Sequence, residues 1–188
     1  MSLHLYAVML GGRAPRCNTE LHDVVFVTGE TIEATYGQCL DLWFGTAPRL
    51  HLDSYMALDV VDGHRVTLSP EPAADGKALY FVNLGGYADG LFTELHANAI
   101  VVAANAPEAR ARAKATLMQG GEHEIHTDDL YDVDDCLEVG EVGDETVGRW
   151  HVVLEPVDDD RAPQPVNGYH VIPKKVIAAY LERHPERA

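Results

Sequence analysis

The chain states one of its own segments twice, and that constrains the fold more than any feature of its composition. Leu5 to Gly12 reads Leu-Tyr-Ala-Val-Met-Leu-Gly-Gly, and Leu79 to Gly86 reads Leu-Tyr-Phe-Val-Asn-Leu-Gly-Gly. After an equal spacer of six residues, both copies continue Thr-Glu-Leu-His, at 19–22 and at 93–96. Eleven of the eighteen aligned positions are identical without a gap. With one residue inserted, His51-Leu52-Asp53 then falls on His126-Thr127-Asp128. A tandem duplication of this kind predicts one supersecondary unit built twice, the two copies completing a core about a pseudo-twofold axis.

Each copy reads as strand, strand, helix, strand. The apolar run 4–10 stops at Gly11-Gly12, and Leu21–Thr28 alternates in the manner of a second strand, antiparallel to the first. A helix follows from Ile32 to about Phe44, with Tyr36, Cys39, Leu40 and Trp43 along one face. Leu50–Val61 is the third strand, and the Asp62-Gly63 turn leads to a short further one at Arg65–Leu68. The second copy repeats the order, with strands at 78–84 and 98–104. Its helix runs from about Ala106 to Met118, opened by Asn105 and Pro107, and the next strand starts near Ile125. The expected organisation is α+β: a first ββαβ repeat at 1–70, a second at 77–139, mixed sheets related by the pseudo-twofold, and a C-terminal strand–helix extension at 140–188 that covers an edge or face. In that extension Trp150–Leu154 is the strand, Asp158–Gly168 a polar loop, and the residues after Pro173 the helix.

Composition narrows the function classes. A hydrophobic content of 46% over 188 residues supports a buried core, and no apolar run reaches membrane-spanning length. No signal-like start precedes it, so a cytoplasmic location is expected, with no membrane partner. Cys17, Cys39 and Cys136 lack paired spacing and read as reduced thiols. The formal charge is −16, and half of the acidic residues lie between Glu122 and Asp160. A field of that sign repels a phosphate backbone, so nucleic acid is not an expected partner. The acidic run lacks the regular oxygen-ligand spacing of a calcium loop.

Strand direction brings the duplicated polar residues together. The first strand runs down to Gly11-Gly12, the second starts at that end beside Glu20 and His22, and after the helix the third starts there again at His51 and Asp53. Alternation places Glu20 with His22, and His51 with Asp53, on one side of their strands. Glu94, His96, His126 and Asp128 should repeat the cluster. Gly11 and Gly12 allow close approach to the backbone, and Asp23 and Ser54 are neighbouring candidates for ligand contact. Three uses are open. The cluster suits a small ligand, with His22 or His51 as the acid–base group and Glu20 and Asp53 orienting it. It equally suits a non-catalytic interaction or structural module whose His–carboxylate pairs pin strand ends. A divalent metal, and with it a hydrolase, is third. No cofactor is indicated by any motif, and whether the chain is an enzyme is left open.

The Leu-Gly-Gly, Glu-Leu-His-Asp and Leu-His-Leu-Asp-Ser-Tyr segments together resemble a bacterial family known as a domain of unknown function, number fifteen forty-three. The resemblance covers residues 3–135, and its domain is about the length of one copy here. Members with one or two copies imply either a monomer that is internally a pseudo-dimer, or a homodimer; the family implies no activity. The second copy departs from the pattern, with Ala97 in place of Asp23 and Asp129-Leu130 in place of Ser54-Tyr55. The resemblance therefore favours the first copy as the active one.

Overall fold

The apolar run Leu5–Leu10 forms β1 (His4–Gly12), a strand buried on both faces, as befits a central strand packed from two sides. Tyr6, Val8 and Leu10 point one way and join Val25, Val27, Leu40, Trp43 and Leu52 in a core under helices α1 (Tyr36–Leu42) and α3 (Lys174–Arg183). Leu5 and Ala7 point the other way. They enter a second core with Leu58, Val61, Leu79, Val102 and Val139, which joins the two repeats. The computed structural model describes residues 3–72, 76–87, 89–119 and 132–187.

Flanking β1 are β2 (Leu21–Gly29) and β3 (His51–Ala57), and β11 (Val166–Val171) pairs with the outer edge of β3. The second repeat forms its own sheet, in the order β7-β6-β8, from β6 (Ala78–Gly86), β7 (Leu95–Ala103) and β8 (Asp132–Glu138). Helix α2 (Ala106–Gln119) lays Ala109 and Ala113 over Tyr80 and Val82. Asn105 caps that helix, its Oδ1 accepting the Glu108 N–H at 3.0 Å.

A third sheet holds the copies together. It contains two hairpins, β4 (Val60–Val61) with β5 (His64–Ser69), and β9 (Glu141–Asp144) with β10 (Gly148–Pro156). The hairpins join edge to edge through an antiparallel β5–β10 ladder, giving the order β4-β5-β10-β9. An order that reads hairpin, hairpin from either end is what a twofold between the repeats produces. Asp62, in the β4–β5 turn, reinforces the joint: its Oδ2 accepts from the Val102 N–H at 2.8 Å and from Arg112 Nη2 at 3.0 Å. Arg112 thus pairs with an acidic neighbour.

Several expectations are refined. The sheets, expected as mixed, are antiparallel in all the described ladders. β2 and β3 do run the same way, but on opposite sides of β1 rather than as neighbours. Residues 140–156, expected to open the extension, take the place in the third sheet that β4–β5 takes for the first repeat. The end of the expected loop 158–168 belongs to β11, which extends the first sheet by a strand. Helix α1 is shorter than expected and is preceded by a 3-10 turn at Ile32–Thr35. The expected strand start near Ile125 lies outside the described residues. Beyond β11, α3 packs Tyr180 into the first core, and Arg187 donates to the carbonyls of Leu40 and Trp43 at the C-terminal end of α1. No described helix is long and apolar enough to cross a membrane.

Burial sets the chemistry of one thiol. Cys39 is enclosed in the first core, and desolvation pushes its pKa up to about 12. Iodoacetamide at about pH 8 should therefore leave Cys39 unmodified in the native protein and alkylate it in guanidinium chloride. Peptide mass spectrometry checks this, and native labelling of Cys39 would contradict the packing described.

Candidate functional site

Register builds the site. In the first sheet Gly11 sits opposite His22 on one side and His51 on the other. Directly opposed residues of antiparallel strands project to one face, so two imidazoles flank a residue with no side chain. The β1–β3 ladder then slips: Met9 pairs with Ser54 and Leu10 with Leu52, leaving Asp53 as the extra residue of a bulge. The bulge re-aims the Asp53 carboxylate into the gap above Gly11. There Oδ2 lies 3.2 Å from His22 Nε2, and Oδ1 lies 3.3 Å from His51 Nε2. Glu20 Oε1 stands 3.7 Å from the same His51 nitrogen. The four residues expected to converge do so.

Gly11 is required by this packing. A Cβ there would lie 2.6 Å from His51 Nε2 and closer still to Asp53 Oδ2. Gly12, expected to serve a ligand, is corrected: it faces the other side of the sheet, where a Cβ would meet the Trp43 ring at 2.9 Å. Its bareness admits a tryptophan to the core.

The two histidines differ in environment. The His51 side chain is 2% exposed, whereas that of His22 is 50% exposed. His51 Nδ1 is 2.9 Å from the Arg49 carbonyl oxygen, which only accepts, so Nδ1 holds a proton and donates it. In the neutral ring Nε2 then turns a lone pair toward two carboxylates. Neither that nitrogen nor Asp53 Oδ2 makes a well-formed hydrogen bond among the described residues, although both atoms are buried and His22 Nε2 stands 3.2 Å from the carboxylate oxygen. Acceptors are thus gathered against acceptors, an arrangement that favours a positively charged group close by.

β11 contributes what the sequence did not signal. Tyr169 packs its ring on His51 with centroids 4.0 Å apart, and Ser54 Oγ donates to Asn167 Oδ1 at 2.7 Å. Ser54 is therefore engaged with β11. Asp23 Oδ1 accepts its neighbour Val24's N–H at 2.8 Å, at the rim of the site.

The second repeat keeps the geometry and changes the residues. Gly85 lies between His96 and Asp132, and the β6–β8 ladder slips between Asn83 and Leu84, leaving Asp134 as the bulge residue. By position, Asp132 stands where His51 stands, and Asp134 where Asp53 stands. His126 and Asp128 lie outside the described residues, and their proposed equivalence to His51 and Asp53 is corrected by this register. Gly11 and His51 are 40 residues apart, Gly85 and Asp132 are 47, so the second copy carries seven extra residues before its third strand instead of one. Glu94 and His96 do pair, Oε2 to Nε2, at 3.6 Å.

The sheets of the two repeats face each other across a cleft of about 630 Å³. Met9, His22, Val24 and Asp53 line it from the first repeat; Phe81, Asn83, His96, Asn98 and Asp135 line it from the second. Phe26 and Phe81 meet edge to face across the sheets, centroids 5.8 Å apart, and belong to the core that joins the repeats. Among the described residues no three His, Cys, Asp or Glu side chains are disposed to hold a metal ion.

Fold and site together define a duplicated α+β protein with a composite polar cleft between its two repeats. A family model described as Domain of Unknown Function (DUF1543) matches residues 17–68 and again 91–140, and the chain belongs to that family. The first match contains Glu20, His22, His51 and Asp53, and the second contains Glu94 and His96. The crystal structure of protein Il1583 from Idiomarina loihiensis is similar at 34% identity, with a TM-score of 0.68, over 92% of this chain and 99% of that one. No curated protein matches the chain.

Proposed function

We propose that the cleft binds a small organic ligand and that the His22–Asp53–His51 row of the first repeat serves it as an acid–base group. The observation that carries this reading is the bulged Asp53 carboxylate, set between two histidine Nε2 atoms over a glycine that leaves it room. His22, half exposed, exchanges the proton with the guest; Asp53 orients its ring; His51, its tautomer held by Arg49, backs the carboxylate from below. Glu20 sits close enough to compensate positive charge on the His51 ring. The second repeat, with Asp132 at the His51 position, acts as the opposing wall. A structural role as a strand-end fastener is favoured for His51 alone, by its burial and its bond to the Arg49 carbonyl.

Two measurements test the reading. His22→Ala should leave the unfolding free energy within about 0.5 kcal/mol of wild type in urea, since the ring is half solvated and off the core. A loss of about 1–3 kcal/mol would return the whole cluster to the fastener role. Ligand-observed NMR with a fragment library should then find compounds that bind wild type and are lost from the folded His22→Ala/Asp53→Asn variant. A library whose binders are all indifferent to that variant would refute the assignment of the site.

A further inference from the structure

The cleft's own chemistry selects a class of guest. In the histidine row beside the cleft, the buried polar atoms that make no hydrogen bond are both acceptors: His51 Nε2, and Asp53 Oδ2, which stands 3.2 Å from His22 Nε2. Carboxylates of Asp23, Asp53 and Asp135 are among the residues that line the cleft, and none of the described lining residues is a lysine or arginine. The whole chain carries a formal −16, so no distant field offsets the local one.

The walls differ in a way the duplication makes readable. In the row behind the histidines, the first repeat presents Val24, Met9 and Ser54 side by side across three strands. The second presents Asn98, Asn83 and Asp135 at the same three positions. Asn83 Nδ2 donates to Asn98 Oδ1 at 2.7 Å, which leaves the Asn83 carbonyl oxygen as a further acceptor and the Asn98 amide as a donor. In this row the first repeat is mainly apolar and the second polar, with acceptors at Asp135 and the Asn83 carbonyl, and the volume is within the range of small-molecule sites.

We infer that the guest of this cleft is a small organic cation: an ammonium, amidinium or guanidinium group carried on an apolar body. Its N–H donors meet Asp53, Asp135 and the Asn83 carbonyl, and its body lies along Met9, Val24 and Phe81. This rests on the reading of the cleft as a ligand site and adds the sign of the guest's charge.

The test compares three molecules of one shape, benzamidine, benzamide and benzoate, which differ in charge and in donors. Each is titrated into the chelator-treated full chain and followed by amide NMR at low salt. Benzamidine should shift Met9, Val24, Phe81 and Asn83 and bind about ten-fold more tightly than benzamide, with benzoate leaving them unmoved. Added salt should weaken it. Asp53→Asn should lower its affinity, as should Asp135→Ser/Asn83→Met, which installs residues the first repeat already carries in the same ladder and so retains the fold. Benzoate binding as well as benzamidine, or benzamidine binding unchanged in both variants, would overturn the inference. If benzamidine fails while other fragments bind wild type and are lost from His22→Ala/Asp53→Asn, this inference falls and the site stands. If nothing binds the cleft, both fall.

Discussion

His51→Ala should lose about 2–4 kcal/mol of unfolding free energy, the largest single effect expected at the site. The ring is buried, packed against Tyr169, and tied through Nδ1–H to the Arg49 carbonyl. Arg49 has a left-handed backbone, φ 73°, so that bond also steadies a strained turn before β3. Truncation leaves a cavity beneath Asp53 and an unsatisfied carbonyl, and the relief of the lone-pair contact with the carboxylates offsets only part of this. His51→Asn supplies an amide N–H near the position of Nδ1 and should recover part of the loss. Urea unfolding of both variants decides the matter. A loss below about 1 kcal/mol for His51→Ala would mean that the buried ring is not anchoring the strand.

Gly11→Ala should cost about 1–3 kcal/mol and dismantle the site together with it. The added methyl occupies the space of the Asp53 carboxylate and crowds His51 Nε2, so the carboxylate must leave its place between the histidines. The cause is separable by a double-mutant cycle. Asp53→Ala removes one of the two groups the methyl strikes, so Gly11→Ala in that background should cost less than in wild type, with the contact on His51 Nε2 remaining. Equal costs in the two backgrounds would place the strain elsewhere. Gly12→Ala is the natural comparison: it presses on Trp43 from the opposite face and should destabilise without moving the His22 ring resonances. If both substitutions perturb His22 alike, the assignment of the two glycines to opposite faces is mistaken.

These expectations differ in how much of their basis was readable beforehand. Convergence of Glu20, His22, His51 and Asp53 follows from chain direction and alternation alone: two strands that start at the same end of β1 bring their first residues together. The helix cap at Asn105 and the turn at Asp62-Gly63 are local chemistry and were legible for that reason. Tyr169 was not. The segment Asp158–Gly168 has the prolines and polarity of a loop, and only the open edge of β3 draws the chain that follows into a strand.

The equivalence of His126 with His51 failed for a related reason. Alignment by short motif placed one inserted residue where the ladder counts seven, because a histidine and an aspartate two apart recur by chance in an acidic, histidine-rich stretch. Ladder register is set by which side chains fit the shared face of three strands, and a one-residue slip turns every side chain over. No local pattern encodes it.

By itself, then, the sequence determined the duplication, the order of elements within a repeat, the acidic field and the end of the sheet at which the polar residues gather. Each of these depends on spacing or charge along the chain. Tertiary structure decided that Asp53 bulges between two histidines, that β11 roofs one of them, and that the two repeats face each other across a shared cleft. Those features arise where residues far apart in sequence compete for the same space: at Gly11, at the edge of β3, and in the core that Leu5 and Leu79 share.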